Sequence, residues 1–455
     1  MASEKTYDEA LRPQFHFSPR KNWTNDPNGL VFLDGEYHLF FQHNPEGINW
    51  GNMTWGHAVS PDLVRWTQLD HAIHPDELGT IFSGSAVVDV NNTAGFQTGD
   101  TKVIVAIYTS HGPEAKPDPK PATQSIAYSN DRGRTWEKYD GNPVLDHVIG
   151  GNRDPKVIWH EPTGKWVMAL YLDADDYALF GSPNLKEWTK LSDLKLRGDS
   201  ECPDFFELAV DGDANNKKWV FWGGSGTYLI GSFDGTTSTP ETDVLVAELG
   251  ANGYAAQSYS DIPADDGRRI QISWLNGGTY HGMPFNQQMS FPVEMTLRTL
   301  PEGIRLCRRP VCEIETVRAK EQKWEGVTLN PGDDLLSDIK GELFDIRAEI
   351  EPAGASFEIS VGGRVVRYDV AREELICPDF AKWRAPLRLI DGRVKIQILV
   401  DRTSLEIYGN DGEASMTYFC VPDQSKPILS ITAAGGPVNV VSLEVHGLKS
   451  AWFDR

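Results

Sequence analysis

The chain has 455 residues, with 43 Lys+Arg against 65 Asp+Glu, a formal net charge of -22 and 40% apolar residues. That length calls for two domains with substantial cores. The acidic balance excludes partners that demand a basic surface, nucleic acid or an anionic membrane, and favours a neutral small-molecule or polymeric substrate; it leaves monomer against homodimer open.

Five cysteines, Cys202, Cys307, Cys312, Cys377 and Cys420, are spread widely without a CxxC pair. Neither a disulfide framework nor a zinc site is expected, no metal or cofactor is called for, and free thiols favour a cytoplasmic setting. The start, "MASEKTYDEALRPQ", lacks the apolar stretch of a secretory signal, and no later run approaches the roughly 18 apolar residues of a membrane span. A secreted chain whose signal had been removed would read the same way.

In chain order, "NWTNDPNGL" (Asn22 to Leu30) comes first and reads as a rigid turn. Pro27 fixes its own φ and biases Asp26 toward an extended backbone, while Gly29 permits positive φ. Runs such as "LVFLDGEYHLFFQ", "TKVIVAIYTS", "KVIWHEPTGKWVMALYL", "KKWVFWGG" and "RRIQISWLN" follow, each bounded by Gly, Pro, Asn or Asp. They predict many strands joined by tight turns, with no sustained helical period in the first 300 residues.

A rough repeat runs through them: "SPDLVRWTQL" at Ser60, "SNDRGRTWEKY" at Ser129, "SPNLKEWTKL" at Ser182 and a degenerate "SFDGTTSTPE" at Ser232. Recurrence at this spacing predicts four-stranded units repeated radially, hence an all-β chain with a five-bladed β-propeller over residues 1–315. Trp66, Trp136 and Trp188 in these repeats are expected to pack between blades. From about residue 316 to 455 the alternation buries one face only and predicts a β-sandwich, with Lys320 to about Gly332 as a connection of some helical content.

Three acids stand in turn-forming or aromatic contexts: Asp26 in "NDPNG", Asp154 in "RDP" and Glu201 in "SECPDFF". Singly, each is an ordinary turn or capping residue. The innermost propeller strands line a central channel, where acids from successive blades converge. Convergent carboxyls are the equipment of glycoside cleavage, one protonated to assist the leaving oxygen and one ionised to attack. His16, His38, His43, His57, His71 and His74 lack metal-ligand spacing and read as structural or pocket-edge residues. The sequons at Asn22, Asn52 and Asn91 read as chance, the first two because a glycan there would obstruct the pocket.

"NDPNG", "FFQHNP", "WGNMTWGHAVSPDLVRW", "FSGSA", "RDPKV", "ECPDFF", "YAAQS" and "ISWLNG" occur in an order and spacing that closely resembles glycoside hydrolase family 32, the invertases, inulinases and levanases. "VDRTSLEIYGNDG" resembles a motif of the sandwich domain in that family. The resemblance implies a retaining β-fructofuranosidase acting on sucrose, inulin-type or levan-type fructans. Asp26 would be its nucleophile, Asp154 its transition-state stabiliser and Glu201 its acid/base, with the Asp26 and Glu201 carboxyls roughly 5 to 5.5 Å apart.

It further implies a fructose pocket of Asn25, Gln42, Trp50, Phe82, Ser83, Arg153, Asp154 and Trp274. Cys202 would pack near Glu201 and tune it, Tyr254 would bond Glu201 or substrate, and Trp23 would face the leaving sugar. Asn25 and turn amides are expected to keep Asp26 ionised, Arg153 to hold Asp154 charged, and burial to raise Glu201.

Ser200 stands where the family often has Trp, "ANGYAAQ" lacks a usual Asp-Phe step, and Thr24 replaces a common Met. These departures leave substrate preference open. A fructosyltransferase using the same intermediate, an arabinose-releasing propeller glycosidase and a non-catalytic carbohydrate-binding protein are the competing alternatives.

Overall fold

The computed structural model describes residues 7–112, 119–380, 383–423 and 425–452. Five antiparallel fans come first. Asn22–Leu33, Glu36–Asn44, Thr54–Ser60 and Thr67–Gln68 form one. Thr80–Val88 begins the second, Arg153–His160 the third and Asp204–Val210 the fourth. The fifth contains Gly253–Ser258, Arg269–Leu275, Val293–Leu300 and Gly303–Pro310, and pairs with the fourth through one parallel bridge, Val210 to Leu297. The first strand of each fan packs on that of the next, and Gly253–Ser258 returns to Asn22–Leu33, so the fans close as a five-bladed propeller.

Polar side chains stitch the inner ring together, because inner strands leave backbone groups that the blade ladders do not pair. Asn28 accepts the Gly84 N–H (3.2 Å), and Ser85 donates to the Pro155 carbonyl while accepting from Val157 N–H (2.9 Å each). The buried Lys156 ammonium lies 3.4 Å from Asp204, which also accepts the Ser258 N–H (2.6 Å). Gln257 accepts from Leu30 N–H (3.3 Å) and donates to the Gly84 carbonyl (3.0 Å), closing the circle.

The repeated segments make one shared turn before each outer strand. Asp62, Asp131 and Asn184 accept N–H groups that follow them, Leu63, Arg132 and Leu185 take positive φ, and the Trp66, Trp136 and Trp188 indoles donate to the carbonyl three residues back. All three rings pack on apolar blade clusters.

The C-terminal region packs a six-stranded sheet on a five-stranded one around a single apolar core. The stretch expected to have helical content is instead the strand Arg318–Leu329, paired along its length with Val438–Leu448. It is an edge strand with most of its residues exposed or half-buried, so no apolar period marks it.

The two regions meet through buried acids. Asp401 accepts the N–H groups of Gln14, Phe15 and Arg402 and the His16 ring (2.8 Å); Glu406 takes the other His16 nitrogen (3.1 Å) and the Phe291 N–H. Glu248 binds Arg308 (2.8 Å) and the Thr417 N–H (2.9 Å). Asp401 and Glu406 belong to "VDRTSLEIYGNDG", so that motif is a docking surface for the propeller.

Candidate active site

Four of the five inner strands carry a two-for-one bulge at the same end of the ring. Asn25 and Asp26 face Gln42 alone, Phe82 and Ser83 face Thr109, Asp154 and Pro155 face Leu170, and Ala255 and Ala256 face Ser273. A bulge interrupts the ladder and redirects a side chain that the pleat would send elsewhere. The stretch read as a turn at Asn22 to Leu30 is therefore a strand with two register shifts, the second using Gly29 at φ 54°. Pro27 favours this outcome, because it lacks the N–H that a regular ladder would require.

Asp154 takes a left-handed backbone (φ 62°), and its N–H is caught by the Thr109 hydroxyl (3.0 Å), which donates in turn to Gln124 (2.7 Å). Glu201 and Cys202 also have positive φ and sit just ahead of Asp204–Val210. Asp199 holds that approach, accepting from Ser200 N–H (2.8 Å), Ser225 N–H (2.9 Å) and the Thr227 hydroxyl (2.6 Å). Thr109, Gln124 and Asp199 carry no motif of their own. Only the spatial closeness of the blades reveals them.

The three acids share partners. The Ser83 hydroxyl donates to Asp26 (2.6 Å), and the Cys202 thiol lies 3.6 Å from Asp26 and 3.5 Å from Asp154. The Cys202 N–H donates to Asp154 (3.1 Å). Arg153 binds Glu201 (2.5 Å), has its Nε 3.8 Å from Asp154 and stacks over Tyr171 (4.6 Å), while the Tyr254 hydroxyl donates to the other Glu201 oxygen (2.7 Å). Cys202 therefore touches Asp26 and Asp154 with its thiol, not Glu201 as expected from the sequence.

Burial pushes the Asp26 carboxyl above its ordinary value, and the charge of Glu201 adds to this against hydrogen bonds from Ser83 and Asn25. Asp154 is pushed up to about 7 by burial, with Arg153 opposing and the charges of Asp26 and Glu201 reinforcing. The donors expected to keep Asp26 and Asp154 ionised are present, but desolvation outweighs them. Burial, reinforced by the neighbouring carboxylates, also holds Cys202 well above an ordinary thiol.

The remaining predicted pocket residues surround this cluster. Asn25 is buried and accepts the Trp23 indole N–H (2.9 Å). Gln42 is buried with its Nε2 unpaired, a free donor opposite the Asp26 bulge. Phe82 stacks on His111 (3.7 Å) and meets Trp50 edge-on (6.0 Å), and the Trp50 ring is 51% exposed. Trp274 packs edge-on against both Trp23 (6.1 Å) and Tyr254 (6.2 Å).

Two departures from the family pattern have physical reasons. A Cβ at Gly253 would lie 2.6 Å from the Glu248 carboxylate, so only glycine admits that interface acid. Asn252 accepts the Phe419 N–H (2.8 Å) and donates to the Asn276 carbonyl (2.6 Å), tying the sandwich to the pocket wall. Thr24 is buried and donates to the Gln42 carbonyl (3.0 Å).

The one metal-ligand-type cluster among the described residues, Glu321, Glu444 and His446, lies on the sandwich, where the Lys323 ammonium already pairs with Glu444 (2.9 Å). Among the described residues no helix is long and apolar enough to cross a membrane.

Comparison with known proteins yields two family models: the N-terminal domain of glycosyl hydrolases family 32 matches residues 16–310 and the C-terminal domain of that family matches residues 313–447. A levanase of Bacillus subtilis is 44% identical over 99% of this chain and 72% of its own length. An extracellular exo-inulinase of Aspergillus ficuum is 33% identical over 98% of this chain and 96% of its own. The crystal structure of exo-inulinase from Aspergillus awamori superposes with a TM-score of 0.88 at 31% identity, covering 98% of this chain and 100% of that one.

Proposed function

From the premise that the chain belongs to glycosyl hydrolase family 32, we propose that it releases terminal β-D-fructofuranosyl residues from levan-type, inulin-type or sucrose substrates with retention of configuration. The observation that carries this is the convergence of Asp26 and Asp154 from two inner strands, and of Glu201 from the approach to a third, onto the shared partners Cys202 and Arg153. Residues 1–315 serve as the catalytic unit and 316–455 as its buttress.

Asp26 attacks the anomeric C2 as Glu201 passes a proton to the departing oxygen, giving a covalent fructosyl-enzyme; Glu201 then takes a proton from water, which attacks C2 and frees Asp26. Arg153 and Asp154 bind ring hydroxyls, and Gln42 and Asn25 supply amide groups. The C–H faces of the furanose lie against Trp50, Phe82 and Trp274. Tyr254 orients Glu201. The raised Asp26 and Asp154 carboxyls set an acid limb of kcat/KM above the ordinary carboxylate range, titrating as a coupled set.

Time-resolved product profiles on sucrose, inulin and levan test the assignment. Free fructose released as the β-anomer, and a loss of kcat of about 10³-fold or more in Asp26→Asn and Glu201→Gln, are expected. Longer oligomers accumulating at high substrate would instead assign a fructosyltransferase. Unchanged turnover in both variants would leave only carbohydrate binding, and activity on arabinan without activity on fructosides would overturn the substrate class.

A further inference from the structure

Gln287 has a left-handed backbone (φ 76°) and is 3% exposed. Glycine adopts that conformation without steric cost, and a buried non-glycine residue there points to work done by its side chain. The Gln287 amide oxygen accepts the Trp274 indole N–H (3.2 Å) and the Gly277 N–H (3.0 Å). Its amide nitrogen donates to Asn286 (3.2 Å), and Asn286 donates to the Ile48 carbonyl (2.8 Å), in the loop that presents Trp50. The adjoining Phe285 and Asn286 pair in parallel with Asn22 and Trp23, at the start of the strand that carries Asp26.

One amide thus reaches two separate aromatic surfaces. Trp274 has a single indole N–H, and without an acceptor it would be free to turn about its side-chain torsions between Trp23 and Tyr254. Trp50, half exposed, meets Phe82 edge-on, and its loop is held by Asn44 on the Asn49 carbonyl (2.7 Å) and by the Trp23 N–H on the Gly47 carbonyl (3.0 Å), with Asn286 on the Ile48 carbonyl as the tie that leads to Gln287.

We propose that Gln287 is a positioning residue that fixes the Trp274 indole and, through Asn286, the Trp50 loop at the spacing of the bound sugar ring. This rests on the fructosidase assignment above. Its contribution is to binding that the ground state and transition state share, so its loss raises KM and spares kcat.

The test compares Gln287→Met, Gln287→Glu and Gln287→Gly in the full chain, with levan and sucrose as substrates. Met removes the acceptor at similar volume and is expected to raise KM about tenfold with kcat within about threefold. Glu keeps an oxygen facing both N–H groups but loses the donor to Asn286, so it is expected to recover only the Trp274 share, with KM between those of the parent and the Met variant. Gly relieves the left-handed backbone while leaving the indole unheld, so it raises KM as Met does without a matching fall in melting temperature.

KM within about twofold of the parent in both Met and Gly variants would overturn the proposal, as would a Glu variant no better than Met. So would a KM that simply tracks melting temperature. Glu201→Gln is run alongside: retained turnover there would refute the fructosidase assignment itself, whereas its inactivity with unaffected Gln287 variants refutes only the positioning role.

Discussion

Two groups of buried acids organise this molecule, and they are treated in opposite ways. Between the domains, Asp401 accepts three backbone N–H groups and the His16 ring, and Glu406 shares that same ring. At the mouth of the propeller, half-buried Asp26 and buried Asp154 lie beside Glu201, with the Ser83 hydroxyl, the Asn25 side chain, a weakly donating thiol, one N–H and a distant guanidinium edge as partners. Matching donors to carboxylates stabilises a fold, while withholding donors stores free energy that a substrate can later release. The interface acids are structural for the first reason, and the second is what the proposed catalytic role of the mouth acids requires.

Replacing Asp154 should break the contrast most sharply. Asp154→Asn removes a charge on which burial and like charges weigh, so kcat is expected to fall about 10²- to 10³-fold while melting temperature at pH 7 rises by a few degrees. The pH dependence fixes the sign. The folded carboxyl titrates at about 7 against an ordinary value of 3.8, so the folded state holds the proton more tightly between those values. Stability from this group is full below about pH 4 and is lost as pH rises to about 7. Melting curves from pH 4 to 8 should show that loss in the parent and a flatter profile in Asp154→Asn. A steeper profile in the variant would remove the claim of withheld donors.

At the interface, His16 is the counterpart. Its two carboxylate neighbours outweigh burial, the leading opposing effect, and raise it to about 9 from 6.5. Its stabilising contribution is complete below about pH 6.5 and disappears as pH rises through about 9, a window displaced upward from that of Asp154. His16→Leu leaves Asp401 and Glu406 without a cation and should cost about 3–5 kcal/mol of stability, read from urea unfolding at pH 6. It should also abolish the loss between pH 6.5 and 9.

The propeller was legible because its repeat carries turn chemistry at fixed offsets: Asp62, Asp131 and Asn184 recur with a tryptophan behind them. The motifs singled out three acids that the fold brings together. The bulges that aim Asp26 and Asp154 were not legible, since a two-for-one mismatch depends on the partner strand, and Asn25 and Asp26 oppose Gln42 only once Glu36–Asn44 has paired. Composition misread Asn22 to Leu30 as a turn, since Asn, Pro and Gly serve a bulged inner strand as well as a turn. Arg318–Leu329 escaped notice for another reason: an edge strand with polar residues on both faces has no period to detect. Lys156, Asp204 and Gln257 hold the ring through contacts 48 to 227 residues apart, which local pattern cannot reach.

Cysteine reactivity gives the smallest and most local test of the same contrast. A thiol standing between two carboxylates serves as a donor only while it keeps its proton, and the thiolate is the species that reacts with alkylating agents. Burial raises Cys307 and Cys420 to about 11 and Cys377 to about 12, and Cys202 stands well above its ordinary value for the same reason, with Asp154, Asp26 and Glu201 adding to it. Cys312 alone is exposed among the five. Iodoacetamide applied to the native protein at pH 7.5, about the ordinary assay range, should label Cys312 and spare the rest, as read by peptide mass spectrometry, with all five labelled after unfolding in urea. Rapid labelling of native Cys202 would mean that a thiolate sits between Asp26 and Asp154, and the donor role assigned to that side chain would fall. With the thiol intact, Cys202→Ala should lower kcat by less than about tenfold, since its contacts at 3.5 and 3.6 Å are long, weak hydrogen bonds.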